Sequence, residues 1–389
     1  MSEAPCHGPL RVLLIARHYP PDVSAGARRP YLLKLGLEAC DARVHVVAPA
    51  LSRGTDGTAV PPKKRIADTA APAIPTPRAS GARRLRAWAL THLSLPDPEL
   101  RWALRAAAAG RRAARTSPFD LIITTSPPES IHVAGALLAT RLQTPWVADL
   151  RDRWLDAPLM RVRESRLRRT VERPLARSIL SRANLLTATD PPALDEAQRL
   201  APRVPVLRLP QASPPATPQR EISPSPAAIR VVHTGSFSLS HGARDIGPAL
   251  DLLARARGID PRFELHLIGR LTEEEEARAR QAGAQITGPV ALEDAWAAQA
   301  AADVLLLVAA PGTEAVPGKL AEYRAAGRPV VILGGGSWRA LLPGGQDDPL
   351  VRLLSFADPA RREVDIPPPG PTPEAVAASL LAFVRNLAP

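Results

Sequence analysis

Two doubly wound α/β domains in tandem are the fold class that this 389-residue sequence predicts. Short β-branched and Leu-rich runs alternate with longer Ala/Leu/Arg-rich ones, the pattern of parallel strands joined by helical crossovers. The pattern restarts after a stretch, 209–227, that holds Pro210, Pro214, Pro215, Pro218, Pro224 and Pro226. Such a stretch cannot lie inside a sheet and reads as a linker. The length also exceeds one ordinary domain and suffices for two of roughly 100–200 residues.

In the first half the runs predict strands over Arg11–Ala16, Arg43–Ala48, Asp120–Thr124, Trp146–Asp149 and Leu185–Ala188. Helices are expected over Arg28–Ala39, Ser130–Leu142 and Arg161–Ser181. In the last of these, Leu167, Val171, Leu175 and Ile179 recur every four residues as one apolar stripe, and Pro174 should kink the helix or set a boundary. The second half predicts strands over Arg230–Thr234, Phe263–Ile268, Asp303–Val308 and Pro329–Leu333. Its helices are expected over Ala243–Arg257, Thr272–Ala282, Leu292–Ala301 and Gly318–Ala326. Val60–Pro77 reads as a loop or insertion, and Pro367–Pro373 precedes a last amphipathic helix, Glu374–Leu387. The organisation is therefore a first domain over 1–208, a linker over 209–228, a second domain over 229–365 and a terminal segment over 366–389. Two such domains imply a ligand cleft lined by the carboxyl ends of their strands.

Charge narrows the function classes. The chain carries 50 Lys+Arg against 38 Asp+Glu, a formal +12, and only Lys34, Lys63, Lys64 and Lys319 are lysines. Residues 78–115 hold a net +7 and residues 151–182 a net +6, so the remainder sums to −1. The striped segment 151–182 reads as a solvated helix packed on the core, and the alternative for the two segments is a surface for an anionic membrane. With aromatics at 4% and no zinc-finger spacing, nucleic acid is not an expected partner. Cys6 and Cys40 alone build neither a disulfide framework nor a zinc site, which suits a reducing compartment. The first ten residues lack the pattern of a signal peptide, and the apolar runs fall short of the ~20 residues that span a bilayer. A cytoplasmic protein, peripheral on the inner face of the cell membrane if the basic segments dock there, is expected.

Several strand-to-helix junctions carry candidate chemistry. The stretch 19–29 places Asp22 in a loop and Gly26 ahead of a helix, where backbone amides attract phosphate or carboxylate. It contains neither a dinucleotide fingerprint nor a P-loop. The stretch 124–132 brings Ser126 and Glu129 to another such junction, and 145–154 ends a strand with Asp149, Arg151 and Asp152. Charges at a strand's carboxyl end suit a cleft better than a core. The alternative is an internal Arg–Asp pair that fixes the loop. In the second half, His233-Thr234-Gly235-Ser236 forms a strand-to-glycine turn. Pro317 and Gly318 suit the first turn of a helix, Lys319 then faces where a diphosphate would lie, and Glu322 lies within reach of a ribose diol.

Together, Pro20-Pro21-Asp22, Ser126-Pro127-Pro128-Glu129-Ser130, Asp149-Leu150-Arg151-Asp152-Arg153-Trp154 and Pro317-Gly318-Lys319-Leu320-Ala321-Glu322-Tyr323 resemble a family 4 glycosyltransferase of the GT-B fold over essentially the whole chain. Glu314 and Glu322 match the family's two glutamates. The resemblance implies two Rossmann-like domains facing across a cleft, and retaining transfer from a nucleotide-diphosphate sugar to an acceptor hydroxyl. The acceptor would be a sugar, a lipid-linked molecule or a small molecule, in cell-surface polysaccharide, glycolipid or related glycoconjugate synthesis. No cofactor is implied beyond the donor, and no metal, since Asp-x-Asp is absent from the chain. It implies catalytic roles for Glu314, Lys319, Arg151 and Asp152. Donor contacts would come from Gly26, Gly235, Ser236, Arg244, Pro289, Val290, Glu314, Lys319, Leu320 and Glu322. Asp22, Asp149, Arg151, Ser126 and Glu129 would lie on the acceptor side. Ser236 and His241 stand where many members carry an Arg and a Lys, which shifts the diphosphate onto Lys319 and Arg244. A sugar-nucleotide epimerase on the same fold and a non-catalytic scaffold are the rival readings.

Overall fold

The computed structural model describes residues 9–62, 95–156, 166–215, 217, 227–313 and 316–385. The chain divides into two compact units, Met1–Gln211 with Pro373–Pro389, and Ala212–Thr372.

The first unit is built on seven parallel strands: β1 (Arg11–Ala16), β2 (Arg43–Ala48), β3 (Gly57–Ala59), β4 (Leu121–Ser126), β5 (Trp146–Leu150), β6 (Leu185–Ala188) and β7 (Val206–Arg208). They lie in the order β3-β2-β1-β4-β5-β6-β7. Helices α1 (Ala25–Ala39), α2 (Leu100–Thr116), α3 (Ile131–Leu142), α4 (Arg166–Leu180) and α5 (Pro191–Leu200) supply the crossovers. The runs Val12–Ala16 and Leu121–Ser126 are buried throughout, as parallel strands covered on both faces must be.

Helix α2 is absent from the sequence expectation because its buried face is made of small residues. Trp102, Ala103, Ala106, Ala107, Ala109 and Gly110 follow helical spacing with few branched apolar side chains among them. A Cβ on Gly110 would come within 2.9 Å of Leu13 Cδ2, so the missing side chain lets α2 approach β1 closely.

Helix α4 corrects the predicted stripe. Its buried residues are Glu172, Ala176, Ile179 and Leu180, whereas Val171 is 50% exposed. An enclosed polar group sets this face: Glu172 accepts from Trp154 Nε1 at 3.2 Å and from Arg168 Nε at 3.0 Å. Arg168 also donates to the Pro96 carbonyl at 2.8 Å. Pro174 sits inside the helix and sets no boundary.

The second unit has five parallel strands: β8 (Ile229–Thr234), β9 (Phe263–Ile268), β10 (Gln285–Thr287), β11 (Val304–Pro311) and β12 (Val330–Gly335), in the order β10-β9-β8-β11-β12. Helices α6 (Gly247–Arg257), α7 (Glu273–Gln281) and α10 (Pro349–Ser355) cover one face, with Val231, Leu265 and Leu306 beneath them. Helices α8 (Leu292–Ala300) and α9 (Lys319–Ala326) cover the other, over Val232 and Leu305. A short helix α11 (Pro359–Val364) follows, and α12 (Pro373–Arg385) packs on α1 of the first unit. Gly36 lies against the Pro373 carbonyl in that contact, too close for a side chain.

The stretch expected to be a linker begins by docking on the second unit. Ser213 N donates to the Pro371 carbonyl at 2.8 Å and Ser213 Oγ to the Ala321 carbonyl at 3.2 Å. In both sheets the strand order reverses beside the first strand, between β1 and β4 and between β8 and β11. Loops leaving the carboxyl ends of those strands flank the place where open α/β sheets bind ligands.

Candidate functional site

In the second unit the loop after β8 opens with Gly235 at φ 132°, which favours glycine. A Cβ built there would meet Lys319 Cε at 3.6 Å and His233 Nε2 at 3.9 Å, so both side chains border the space above the turn. Lys319 opens α9 and donates to Glu322 Oε2 at 2.8 Å. Glu322 is buried and takes a second bond, 2.7 Å, from Gln299 Nε2 of α8. The same Gln299 nitrogen reaches Thr234 Oγ1 at 2.8 Å, tying Glu322 to the end of β8. Tyr323 completes the junction: its hydroxyl accepts from Thr234 N at 3.1 Å and donates to the Leu306 carbonyl at 3.3 Å.

Arg244 lies in the loop before α6 and donates from Nη1 to Ser240 Oγ at 3.0 Å. Burial lowers its pKa. His233 Nδ1 donates to the Leu306 carbonyl at 3.0 Å, and the ring stacks on Phe237 with centroids 4.5 Å apart. Burial first, then the cations Lys319 and Arg244, push the imidazole down to about 4. Arg244 Nε, His233 Nε2 and Gln299 Oε1 are buried polar atoms without hydrogen-bond partners. Native interiors rarely leave such groups unmet, and their convergence on one strand end marks a place built to receive polar atoms. Glu322 also borders a shallow surface dip lined by Pro214, Pro215, Thr217, Trp296, Gln299, Ala325 and Ala326.

The first unit is arranged differently. Asp149, at the end of β5, accepts from Arg29 Nε at 2.7 Å and Arg29 Nη2 at 2.6 Å, from Thr125 at 2.7 Å and from Thr187 at 2.5 Å. Burial works against its charge, yet Arg29 and the two hydroxyls hold the carboxyl below the ordinary range. Asp149 is thus an internal strut and not an acceptor contact. The pairing is internal as the alternative foresaw, but the partner is Arg29 rather than Arg151. Arg151 instead donates to Asp152 Oδ2 at 3.0 and 3.1 Å, and this pair is part-exposed. Beside it, Arg28 is buried and pushed down to about 9 by burial and by its neighbours Arg151 and Arg29. Three guanidiniums therefore gather at this strand end.

Asp22 accepts from His18 Nδ1 at 2.7 Å and from Ser24 N at 2.8 Å, which folds the loop ahead of α1. Burial pushes its carboxyl up, and these bonds outweigh that, leaving it below the usual range. Ser126 and Glu129 are buried, and Glu129 acts on a second carboxyl, Asp97. Burial, then the Glu129 charge, push Asp97 up to about 6. Asp97 accepts from the amides of Glu99 and Ser130, each within 2.8 Å.

The sequence falls under two family models. Residues 26–210 match one described as "Glycosyl transferase 4-like domain", and residues 228–361 match "Glycosyl transferases group 1". This chain belongs to the GT-B glycosyltransferases. No curated protein matches it. Solved structures of the same fold include sucrose-phosphate synthase from Thermosynechococcus elongatus, 15% identical over 97% of this chain and 99% of that one, at a TM-score of 0.58. Anabaena HepE in complex with UDP and glucose is 15% identical over 97% and 100% of the chains, at 0.58. UDP-GlcNAc 2-epimerase from Methanocaldococcus jannaschii is 9% identical over 97% and 100%, at 0.53. At these identities the likeness is one of fold.

Among the residues expected to act in this glycosyltransferase, the structure brings Gly235, Lys319, Glu322 and Arg244 to one strand end, with Ser236 in the turn. Leu320 lies in the core and its amide is spent on the Pro317 carbonyl at 2.9 Å. Pro289 is exposed after β10, and Val290 is half-buried against the core. Glu314 lies outside the described residues. Gly26 falls inside the first turn of α1 rather than ahead of it. A Cβ there would strike the His18 ring at 2.8 Å, so its smallness serves that packing. His233 and Gln299 were not expected. A histidine inside an apolar strand and a glutamine inside an alanine-rich helix read as ordinary, and only the contacts reveal them.

Proposed function

We propose that this glycosyltransferase moves a sugar from a nucleotide-diphosphate donor, bound at the carboxyl end of β8, to an acceptor hydroxyl, with retention and without a metal ion. The observation that carries the reading is the convergence of Lys319, Arg244 and the Gly235 turn, with unmet polar atoms, at the point where the strand order reverses. Positive side chains placed before the reaction stabilise charge that develops on a departing diphosphate. That role needs no Asp-x-Asp, and the chain has none. Glu322 trades its bond to Lys319 for a ribose hydroxyl, with Gln299 keeping the carboxylate in place. By the family resemblance, Glu314 would act on the donor sugar. Retention follows from the family resemblance: front-face attack, in which a donor phosphate oxygen takes the acceptor proton, needs no carboxylate nucleophile, unlike a retaining glycosidase.

The part-exposed Arg151, with Arg28 beside it, favours an anionic acceptor, such as a lipid-linked phosphate or diphosphate, in glycolipid or polysaccharide synthesis. Incubating the protein with UDP-, dTDP- and GDP-sugars and a lipid-phosphate acceptor, with and without EDTA, tests the reading. Transfer with retained anomeric configuration that survives chelation is expected; loss in EDTA restored by manganese contradicts the metal-free part. Epimerisation of the donor without transfer would return the rival enzyme, and binding without turnover the scaffold.

A reversible place on the inner membrane surface fits the same reading. Helix α2 exposes Arg101, Arg111, Arg112 and Arg115 with Leu104, and α4 exposes Arg173 and Arg177 with Val171, while the one acid in these two helices, Glu172, is buried. Each engaged arginine near an anionic surface is worth about 1 kcal/mol. Co-sedimentation with anionic vesicles that weakens in salt is expected; equal binding to neutral vesicles contradicts it. No helix among the described residues is long and apolar enough to cross a membrane.

A further inference from the structure

The imidazole of His233 is poised for a role that neither its strand nor its neighbours explain. Nδ1 faces the Leu306 carbonyl, which only accepts, so Nδ1 carries a proton and Nε2 presents a lone pair. Nε2 is buried and has no hydrogen-bond partner. It lies 3.9 Å from the point a Gly235 Cβ would occupy, and Lys319 Cε lies 3.6 Å from that same point. The Phe237 ring, stacked at 24°, and the Leu306 bond keep the imidazole from turning away.

The charged groups that face it are both cations. Lys319 comes from α9, Arg244 from the loop before α6, and the Tyr323 hydroxyl shares the Leu306 carbonyl. His241, the residue nearest the place where family members carry a cation, accepts with Nδ1 from the Ala243 amide at 3.1 Å and so serves its own loop.

We propose that His233 is a proton-coupled ligand of the donor diphosphate: when the diphosphate settles over Gly235, Nε2 takes one proton from solvent and donates a hydrogen bond to a phosphate oxygen. On release the N–H bond breaks and the proton returns to solvent. The inference rests on the donor-site reading above. Without an anion, burial and two cations hold the ring neutral, down to about 4. A diphosphate reverses that field, because its negative charges neutralise Lys319 and Arg244 and favour the imidazolium. The cation so formed then opposes the charge that grows on the leaving diphosphate.

The test is calorimetric binding of UDP-glucose, dTDP-glucose and GDP-mannose between pH 6 and 8, in two buffers of different ionisation heat. The diphosphate of a nucleotide sugar is a diester and does not titrate in this range, so any proton uptake belongs to the protein. For whichever sugar binds, we expect net uptake of up to one proton and an affinity that weakens by up to about tenfold per pH unit as pH rises, levelling off once the bound imidazole too is neutral. His233→Gln keeps a donor toward the phosphate and should bind without uptake. His233→Phe keeps the stack and should lose about 10–100-fold at pH 6, the worth of a hydrogen bond to a charged group. Should either variant fold poorly, ring-carbon NMR of wild-type histidines must show one imidazole neutral when free and protonated when bound. Binding with no proton uptake and no pH dependence would overturn the inference and leave the donor site standing. No binding by any of the three at any pH would overturn both.

Discussion

Each unit places a cation–carboxylate pair beside the end of a strand, and the two pairs differ in what surrounds them. Arg29 and Asp149 are 4% and 1% exposed, joined through two parallel bonds, and two threonines occupy the carboxylate as well. Lys319 is 26% exposed and reaches Glu322 at 2.8 Å, and buried polar atoms of His233, Arg244 and Gln299 close by lack hydrogen-bond partners. A charge surrounded by its own chain's donors has nothing to gain from a ligand. A part-exposed pair beside unmet polar atoms has capacity to exchange. The first pair builds the sheet end; the second belongs to the proposed donor site.

The sharpest way to break this comparison is Asp149→Asn. It leaves the Arg29 guanidinium buried without its counter-charge, and a loss of about 3–5 kcal/mol in denaturant unfolding is expected. A stable variant that loses acceptor use would return Asp149 to the surface role its motif suggested.

Acid should also strain the first unit. His132 is buried, lies 2.9 Å from Thr124 Oγ1, and is pushed down to about 3 by burial. Below its ordinary value near 6.5, the unfolded chain takes up a proton that the folded chain refuses, so stability falls as pH drops from about 6.5 toward 3. His233 adds to this fall. Asp97 has the opposite sign: raised to about 6, it protonates in the folded chain first, which favours folding between its unfolded value and 6. Thermal melts should therefore show His132→Gln losing less stability than wild type between pH 7 and 5; parallel curves would contradict the buried neutral histidine.

Glu322→Gln tests the exchangeable pair more gently. It keeps the shape and weakens the charge-assisted contact to a ribose, a contact unchanged during reaction, so donor KM should rise by the equivalent of about 1–3 kcal/mol.

Much of this architecture is legible in the sequence, and the illegible parts have physical reasons. Strands β1, β2, β6 and β9 run over the residues their β-branched and leucine runs predict. The three-residue strands β3, β7 and β10 are too short to display a period. Helix α2 hides because Ala and Gly form its buried face, and the α4 stripe misleads because Glu172 and Arg168 take interior positions that the pattern assigns to apolar residues. The proximity of Lys319 and Glu322 is readable because both stand in one helix turn. Asp149 was not, because its partner Arg29 stands 120 residues away and no local spacing announces it. His233 stayed hidden for a third reason: an orphaned nitrogen is a property of surroundings, not of sequence.

The central claim, that the second unit's pair is exchanged with a donor diphosphate, is tested most directly by Lys319→Ala. Removing a charge that matters most as the leaving group ionises should cut turnover about 100-fold, with a smaller change in donor affinity and melting behaviour close to wild type. Wild-type kinetics in a folded Lys319→Ala protein would contradict the account, for Lys319 and Glu322 would then be no more than a structural ion pair.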